Sequence, residues 1–158
     1  MVRRAYILAS VTIIMLAMVS ASPSSAAIGW RIKADVTAAS AADDGTLAFG
    51  SGRTVTMLGP DGNAHWSWTA PGDITFIDRG TEASVYAAYE DKLVKLDARG
   101  RLAWSAKAYE KVYSLMALPD GRVVVGSGYG ALAYDRNGAK IWENDPQNAI
   151  YPIYDCAT

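Results

Sequence analysis

The apolar positions of residues 74–105 fall in short bursts. Ile74 to Ile77 is an apolar run closed by Asp78-Arg79-Gly80. Val85 to Tyr89 is a second run, and only Glu90-Asp91 separates it from the next. Lys92 to Leu96 alternates polar and apolar side chains, the period of a half-buried strand. Ala98-Arg99-Gly100 is turn chemistry, because Gly accepts the positive φ at which a β-carbon clashes. Arg101 to Ser105, carrying Trp104, closes the set. The pattern predicts four short antiparallel strands joined by tight turns. No stretch after residue 28 shows helical periodicity with caps.

This pattern recurs with a fixed period. Gly62, Gly100 and Gly138 are 38 residues apart, and so are Trp66, Trp104 and Trp142. Leu47 to Ser51 falls on Val85 to Tyr89 and then on Val123 to Ser127. Val36, Ile74, Val112 and Ile150 hold one position in four successive copies. A fixed period in this range indicates a repeat architecture. Four strands per 38 residues, in tandem, predict an all-β fold of β-propeller blades, about three four-stranded units in an incomplete or open ring. A parallel β-helix is the alternative, but its rungs are shorter and lack hairpin turns. The units are placed at 36–73, 74–111 and 112–149, with 150–158 opening a fourth. The repeated Trp is expected to lie between neighbouring blades, where its burial contributes about 1.5–3 kcal/mol. Repetition is required because one blade cannot bury both of its faces alone.

The first residues belong to another class. Arg3 and Arg4 precede an apolar run from Ala5 to Val19, followed by small residues, "SASPSSAA", ending at Ala27. This is the layout of a secretory signal peptide, so residues 1–27 are assigned to a leader and 28–158 to the exported chain. The apolar run is short of the roughly 20 residues that a spanning helix needs, so no membrane span is expected after cleavage. Without the leader, 13 basic residues face 16 acidic ones. No basic stripe remains, which excludes nucleic acid as a partner. The chain is 51% hydrophobic, against intrinsic disorder. Cys156 is the single Cys, so no intramolecular disulfide forms.

"VKLDARGRLAW" (Val94 to Trp104) and "LAYDRNGAKIW" (Tyr134 within it) resemble the PQQ-like β-propeller repeat, the quinoprotein-dehydrogenase-type blade. Asp97 and Asp135 take the family's Asp position, whereas Gly59 stands there in the first copy. One residue fewer separates Asp from Gly than in the family pattern. The resemblance covers Ile28 to Ala157. In the family's dehydrogenases the quinone lies at the ring centre near a Trp, a disulfide of adjacent cysteines, a calcium ion and a catalytic Asp. This chain has no adjacent cysteines and no calcium-loop spacing. It is therefore expected not to be an enzyme, and no catalytic, cofactor-binding or metal-binding residue is assigned. His65 reads as a surface or inter-blade residue, and Gly126 to Gly130 as a hairpin, since no helix follows it. Non-enzymatic members of the family are exported scaffolds and binding modules. The resemblance thus implies a non-catalytic module that binds protein or another ligand at the cell envelope. The alternatives are a fragment of a quinone-dependent dehydrogenase and a carbohydrate-binding module using exposed Tyr and Trp.

Eight repeat positions are assigned structural roles: Gly62, Trp66, Asp97, Gly100, Trp104, Asp135, Gly138 and Trp142. The candidates for partner contact lie on one rim. They are Arg53, Asp91 and Tyr129, with the loops Pro71 to Asp73, Tyr109 to Lys111 and Gln147 to Ala149. These differ between copies while the framework repeats. The blade count does not close, because a complete ring takes four to eight blades. A strand around Gly29 to Ile32 aligns with an outer strand of a blade. The favoured reading is the N-terminal portion of a longer propeller. Self-association of two chains through open blade edges and a capped open arc are the alternatives.

Overall fold

A computed structural model describes residues 31–108, 110–128 and 130–144 of the 158. They form three four-stranded antiparallel sheets, one per 38-residue unit. Unit one holds β1 (Ala38–Ala41), β2 (Leu47–Ser51), β3 (Thr54–Leu58) and β4 (Ala64–Thr69). Unit two holds β5 (Ile74–Arg79), β6 (Val85–Tyr89), β7 (Lys92–Leu96) and β8 (Leu102–Lys107). Unit three holds β9 (Val112–Ala117), β10 (Val123–Ser127), β11 (Gly130–Tyr134) and β12 (Lys140–Glu143). Each sheet is a simple meander, and the first strands β1, β5 and β9 lie side by side.

Period-two alternation decides how the sheets stack. In β6, Val85, Ala87 and Tyr89 face unit one, where Ala48, Val55 and Met57 meet them. Tyr86 and Ala88 face the other way, onto Val123, Val125, Leu132 and Tyr134 of unit three. Every residue of β6 is therefore buried, although alternate side chains point in opposite directions. The last strand of each sheet is different. β4 and β8 alternate exposed and half-buried positions, as strands with one face in water do. A third apolar cluster, Leu47, Phe49 and Leu58, covers the outer side of unit one and is packed by Ile32 and Val36.

The turns repeat as faithfully as the strands. Between the third and fourth strands of each unit, the backbone closes with the same pair of hydrogen bonds. These are Gly59 N to Asn63 O and Gly62 N to Gly59 O in unit one, then Asp97 with Arg101 and Gly100, then Asp135 with Ala139 and Gly138. Gly62, Gly100 and Gly138 have φ of 77, 75 and 85°. The strand pair flanking each loop has a β-bulge beside it, with the register shifting between Met57 and Leu58, Lys95 and Leu96, and Ala133 and Tyr134. A type I turn with a left-handed residue and a bulge is a standard hairpin solution, and Gly suits that residue because it has no Cβ. Asp97 Oδ1 fixes its turn by accepting the Arg99 and Arg101 amides, both at 2.9 Å, and Asp135 Oδ1 does the same for Asn137 and Ala139 at 2.8 Å. Where Gly59 lacks a side chain, Asp61 Oδ1 accepts the Asn63 amide at 3.0 Å.

Two strand limits differ from the sequence reading. Asp78-Arg79 continues β5 instead of turning, because Asp78 pairs with Tyr86 and Arg79 with Val85. The last strand of unit two starts at Leu102, because the Arg101 carbonyl is held in the hairpin by the Asp97 amide. Arg31 and Ile32 lie outside any strand. Gly29, Trp30, the assigned leader and the start of the fourth unit lie outside the described residues.

At the turn after β5, unit two departs from its neighbours, with Glu82 as well as Ala83 left-handed, at φ 57 and 55°. Gly45 and Gly121 hold a left-handed position at φ 80 and 85°, but the equivalent residue is Ala83, at φ 55°. Left-handed backbone costs an L-residue about 1–2 kcal/mol. Ala83→Gly is expected to stabilise the chain by about 1 kcal/mol, after the entropy of the added glycine offsets part of the gain. Thermal unfolding followed by circular dichroism checks this; an unchanged or lower melting temperature contradicts it.

Candidate functional site

Three features join the units, and the third opens on solvent. The first is an indole clip. Trp66 of β4 donates its Nε1 hydrogen to the Ala98 carbonyl of unit two at 3.0 Å. Its ring lies over Gly100, where a Cβ would come within 2.5 Å of the indole. Trp104 repeats this one unit later, donating to the Arg136 carbonyl at 3.0 Å and covering Gly138. Gly100 and Gly138 thus serve twice, once for their left-handed φ and once for the missing Cβ. Trp104 also stands between Tyr86 and Tyr134, with ring centroids 5.8 and 6.3 Å away. Trp142, at the same position in unit three, is 43% exposed.

The second feature is polar and runs along β1, β5 and β9. Ser40 donates to Asp78 Oδ1 at 3.0 Å and accepts the Arg79 amide at 3.2 Å. Asp78 Oδ2 accepts the Ala117 amide of unit three at 2.8 Å. One carboxylate therefore touches both neighbouring units. Tyr86 adds a buried bond to the Gly121 carbonyl at 2.8 Å. Burial pushes its phenol up to about 12, so it remains a neutral donor at ordinary pH. Arg79 reaches from unit two to Thr46 Oγ1 at 2.7 Å. Its burial pulls the guanidinium below its usual value, and the charge of Asp44 opposes that shift.

The third feature is a depression of about 630 Å³ on the rim of unit two. It is lined by Asp73, Thr75, Glu90, Asp91 and Lys111. Asp73 ends the connection from β4 to β5, Lys111 that from β8 to β9, and Glu90-Asp91 is the hairpin between β6 and β7. Backbone bonds pin these loops: Ile74 N donates to Gly52 O at 2.7 Å, Ala108 N to Asp91 O at 2.8 Å and Val112 N to Glu90 O at 3.0 Å. Glu90 has φ of 50°, where the same position of unit one is Gly52 at 51°. Asp91 pairs with Lys107 at 3.2 Å and Lys92 at 3.7 Å. Its partial burial favours the neutral acid, but the Lys107 hydrogen bond and the two ammonium charges outweigh this and hold the carboxyl below its ordinary value.

Residues 53–152 match the family of the outer membrane protein assembly factor BamB. The chain belongs to that family. Among solved structures, BamB from Moraxella catarrhalis superposes with a TM-score of 0.63 at 18% identity, over 73% of this chain and 38% of that one. Saccharomyces cerevisiae Sqt1 gives 0.62 at 13% identity, over 73% and 36%. Streptogramin B lyase gives 0.59 at 13% identity, over 70% and 40%. At these identities the likeness is one of fold. The chain spans two-fifths or less of the length of each of these three. No curated protein matches it by sequence.

In this BamB-family chain, the structure brings together only part of the rim set named from sequence. Asp73, Asp91 and Lys111 share the depression. Arg53 lies on the hairpin of unit one, where its carbonyl accepts the Ala70 amide. Tyr109, Tyr129 and Gln147 to Ala149 lie outside the described residues. Sequence reasoning missed Thr75, Glu90 and Asp78. A signal for Glu90 was present, since the 38-residue alignment sets it against Gly52 and Gly128. His65 is exposed, with its imidazole against Gly59 in the turn after β3. Among the described residues, no three of His, Cys, Asp and Glu are grouped to hold a metal ion, and no helix is long and apolar enough to cross a membrane.

Removing the Asp78 carboxylate strands the Ala117 amide and the Ser40 hydroxyl. Asp78→Ala is expected to cost about 1–3 kcal/mol, and Asp78→Asn less, because one oxygen remains to accept. Urea unfolding of both variants checks this; equal losses contradict it. A pH dependence follows from the turns. Asp61, Asp97 and Asp120 are each held below the ordinary value, first by a backbone amide of Asn63, Arg101 and Arg122 respectively. Asp44 is held low chiefly by the Thr46 hydroxyl. A depressed folded value means stability that is present above the unfolded carboxyl value, about 4, and lost as pH falls through the folded one. The melting temperature is expected to stay level from pH 7 to 5 and to fall steadily below pH 4. Thermal scans across that range check it.

Proposed function

We propose that this chain is an exported, non-catalytic propeller module that binds a protein partner at the cell envelope through the rim of unit two. The rim depression carries the reading, because loops that differ between units converge there on a repeating framework. Membership of the BamB family supports protein binding and an envelope setting. The basic, apolar and small-residue order of positions 3–27 supports export. The chemistry of the depression also favours binding over catalysis. Its titratable groups are carboxylates and one lysine, and Asp91 is already engaged by Lys92 and Lys107. A partner is met by Asp73, Glu90 and Thr75 on one side and by Lys111 on the other.

Site-specific photo-crosslinking in cells that express the full chain tests this. A crosslinking residue at Glu90 is expected to capture an envelope protein, whereas one at Arg99, on the opposite rim, captures none. Charge reversal at Asp73 is expected to weaken capture about tenfold, the scale of one lost charged contact, without lowering the melting temperature. Recovery of the chain with residues 1–27 intact in the cytoplasm, or equal capture from both rims, overturns the proposal.

A further inference from the structure

The outer strands β4, β8 and β12 each end their sheet, so among the described residues no strand pairs with their outer side. A free edge of this kind templates pairing with another chain, and charged side chains are the usual guard against it. β8 carries Lys107, which is tied to Asp91 at 3.2 Å, and β12 carries Lys140 and Glu143. β4 runs Ala-His-Trp-Ser-Trp-Thr and carries no Lys, Arg, Asp, Glu or Pro. The free backbone groups on its outer side can be named. Ala70 N donates to the Arg53 carbonyl at 2.8 Å, so Ala70 turns toward β3. Residues along an antiparallel strand alternate in this respect. With Thr54 to Met57 paired without a break to Thr69 to Trp66, Trp68 and Trp66 also bond toward β3, whereas Ser67 and Thr69 turn amide and carbonyl outward. The two indoles are half-buried against unit two, Trp66 held by the Ala98 carbonyl and Trp68 with its ring 6.4 Å from that of Tyr89. Ser67 lies on the exposed face, its hydroxyl 3.2 Å from that of Thr56.

We propose that the outer edge of β4 pairs with β4 of a second copy of this chain, antiparallel and centred on Ser67. The order Trp66-Ser67-Trp68 reads the same in both directions, as a two-fold axis through Ser67 requires. About that axis the two Ser67 residues exchange amide and carbonyl. Trp66 of each copy then faces Trp68 of the other, in the non-hydrogen-bonded pairs where cross-strand side chains approach most closely. Both indoles are already fixed by unit two, so pairing orders few side chains anew. β8 lacks these features, because Ala106 stands where Trp68 does and Lys107 brings charge to the edge. A strand from a different protein is the rival occupant. It is disfavoured because it has no need of the symmetric order or of an aromatic on each side of the axis. The pairing uses none of the residues of the rim depression, so it stands apart from partner binding there.

Light scattering of the purified full chain over a range of concentrations tests this. The chain is expected to pass from monomer to dimer as its concentration rises. Ser67→Lys sets two ammonium groups against each other at the axis and is expected to weaken the dimer about tenfold. Ser105→Lys makes the same change at the matching position of β8 and is expected to leave the dimer as it was. If Ser67→Lys does not fold, Thr69→Lys, on the same outward side, is expected to weaken the dimer instead. A chain that stays monomeric throughout overturns the proposal. So does a dimer that the β4 variants leave intact, or one that Ser105→Lys weakens equally, since either assigns the contact to another surface.

Discussion

The structure depends on the middle strands being buried on both faces. β6 has no solvent side: Val85, Ala87 and Tyr89 require unit one, and Tyr86 and Ala88 require unit three. A four-stranded sheet with two apolar faces has no stable existence in water by itself. The chain answers this with copies of one unit, each supplying the cover its neighbour lacks. Everything else in the molecule sits on that stack: the turns at its edges, the indoles across its outer half and the loops on its rim.

Apolar cover alone does not fix how two sheets are rotated against each other, since it has no direction. Directional contacts do that here, at two radii. Near the axis, Ser40, Asp78 and the Ala117 amide lock the first strands in register. Toward the periphery, Trp66 and Trp104 each find one carbonyl and one bare glycine on the following unit. A shift of either sheet by one residue breaks the inner and outer contacts together. The rim depression inherits its shape from this locking, because the backbone bonds from Ile74 and Val112 tie its loops to the adjacent unit.

Much of this was legible in the sequence, for a physical reason. The left-handed turns demand Gly62, Gly100 and Gly138, and the flat gap above two of them demands an indole, so the constraint appears as letters at a fixed spacing. Asp97 and Asp135 were readable for the same reason, since they bind amides within their own turns. Asp78 was not. In sequence, Asp78-Arg79-Gly80 looks like a turn, and only partners 38 and 39 residues away turn it into a strand and a bridge. Thr75 was hidden likewise, since its neighbours on the rim arrive from other loops. Local chemistry is written locally, whereas contacts between units show only as a period.

Asp78 has a last consequence, for how the molecule comes apart. Its two oxygens hold units one and three through unit two, so the middle sheet cannot loosen from one side while staying whole on the other. With a shared carboxylate between them, the loss of either interface weakens the other.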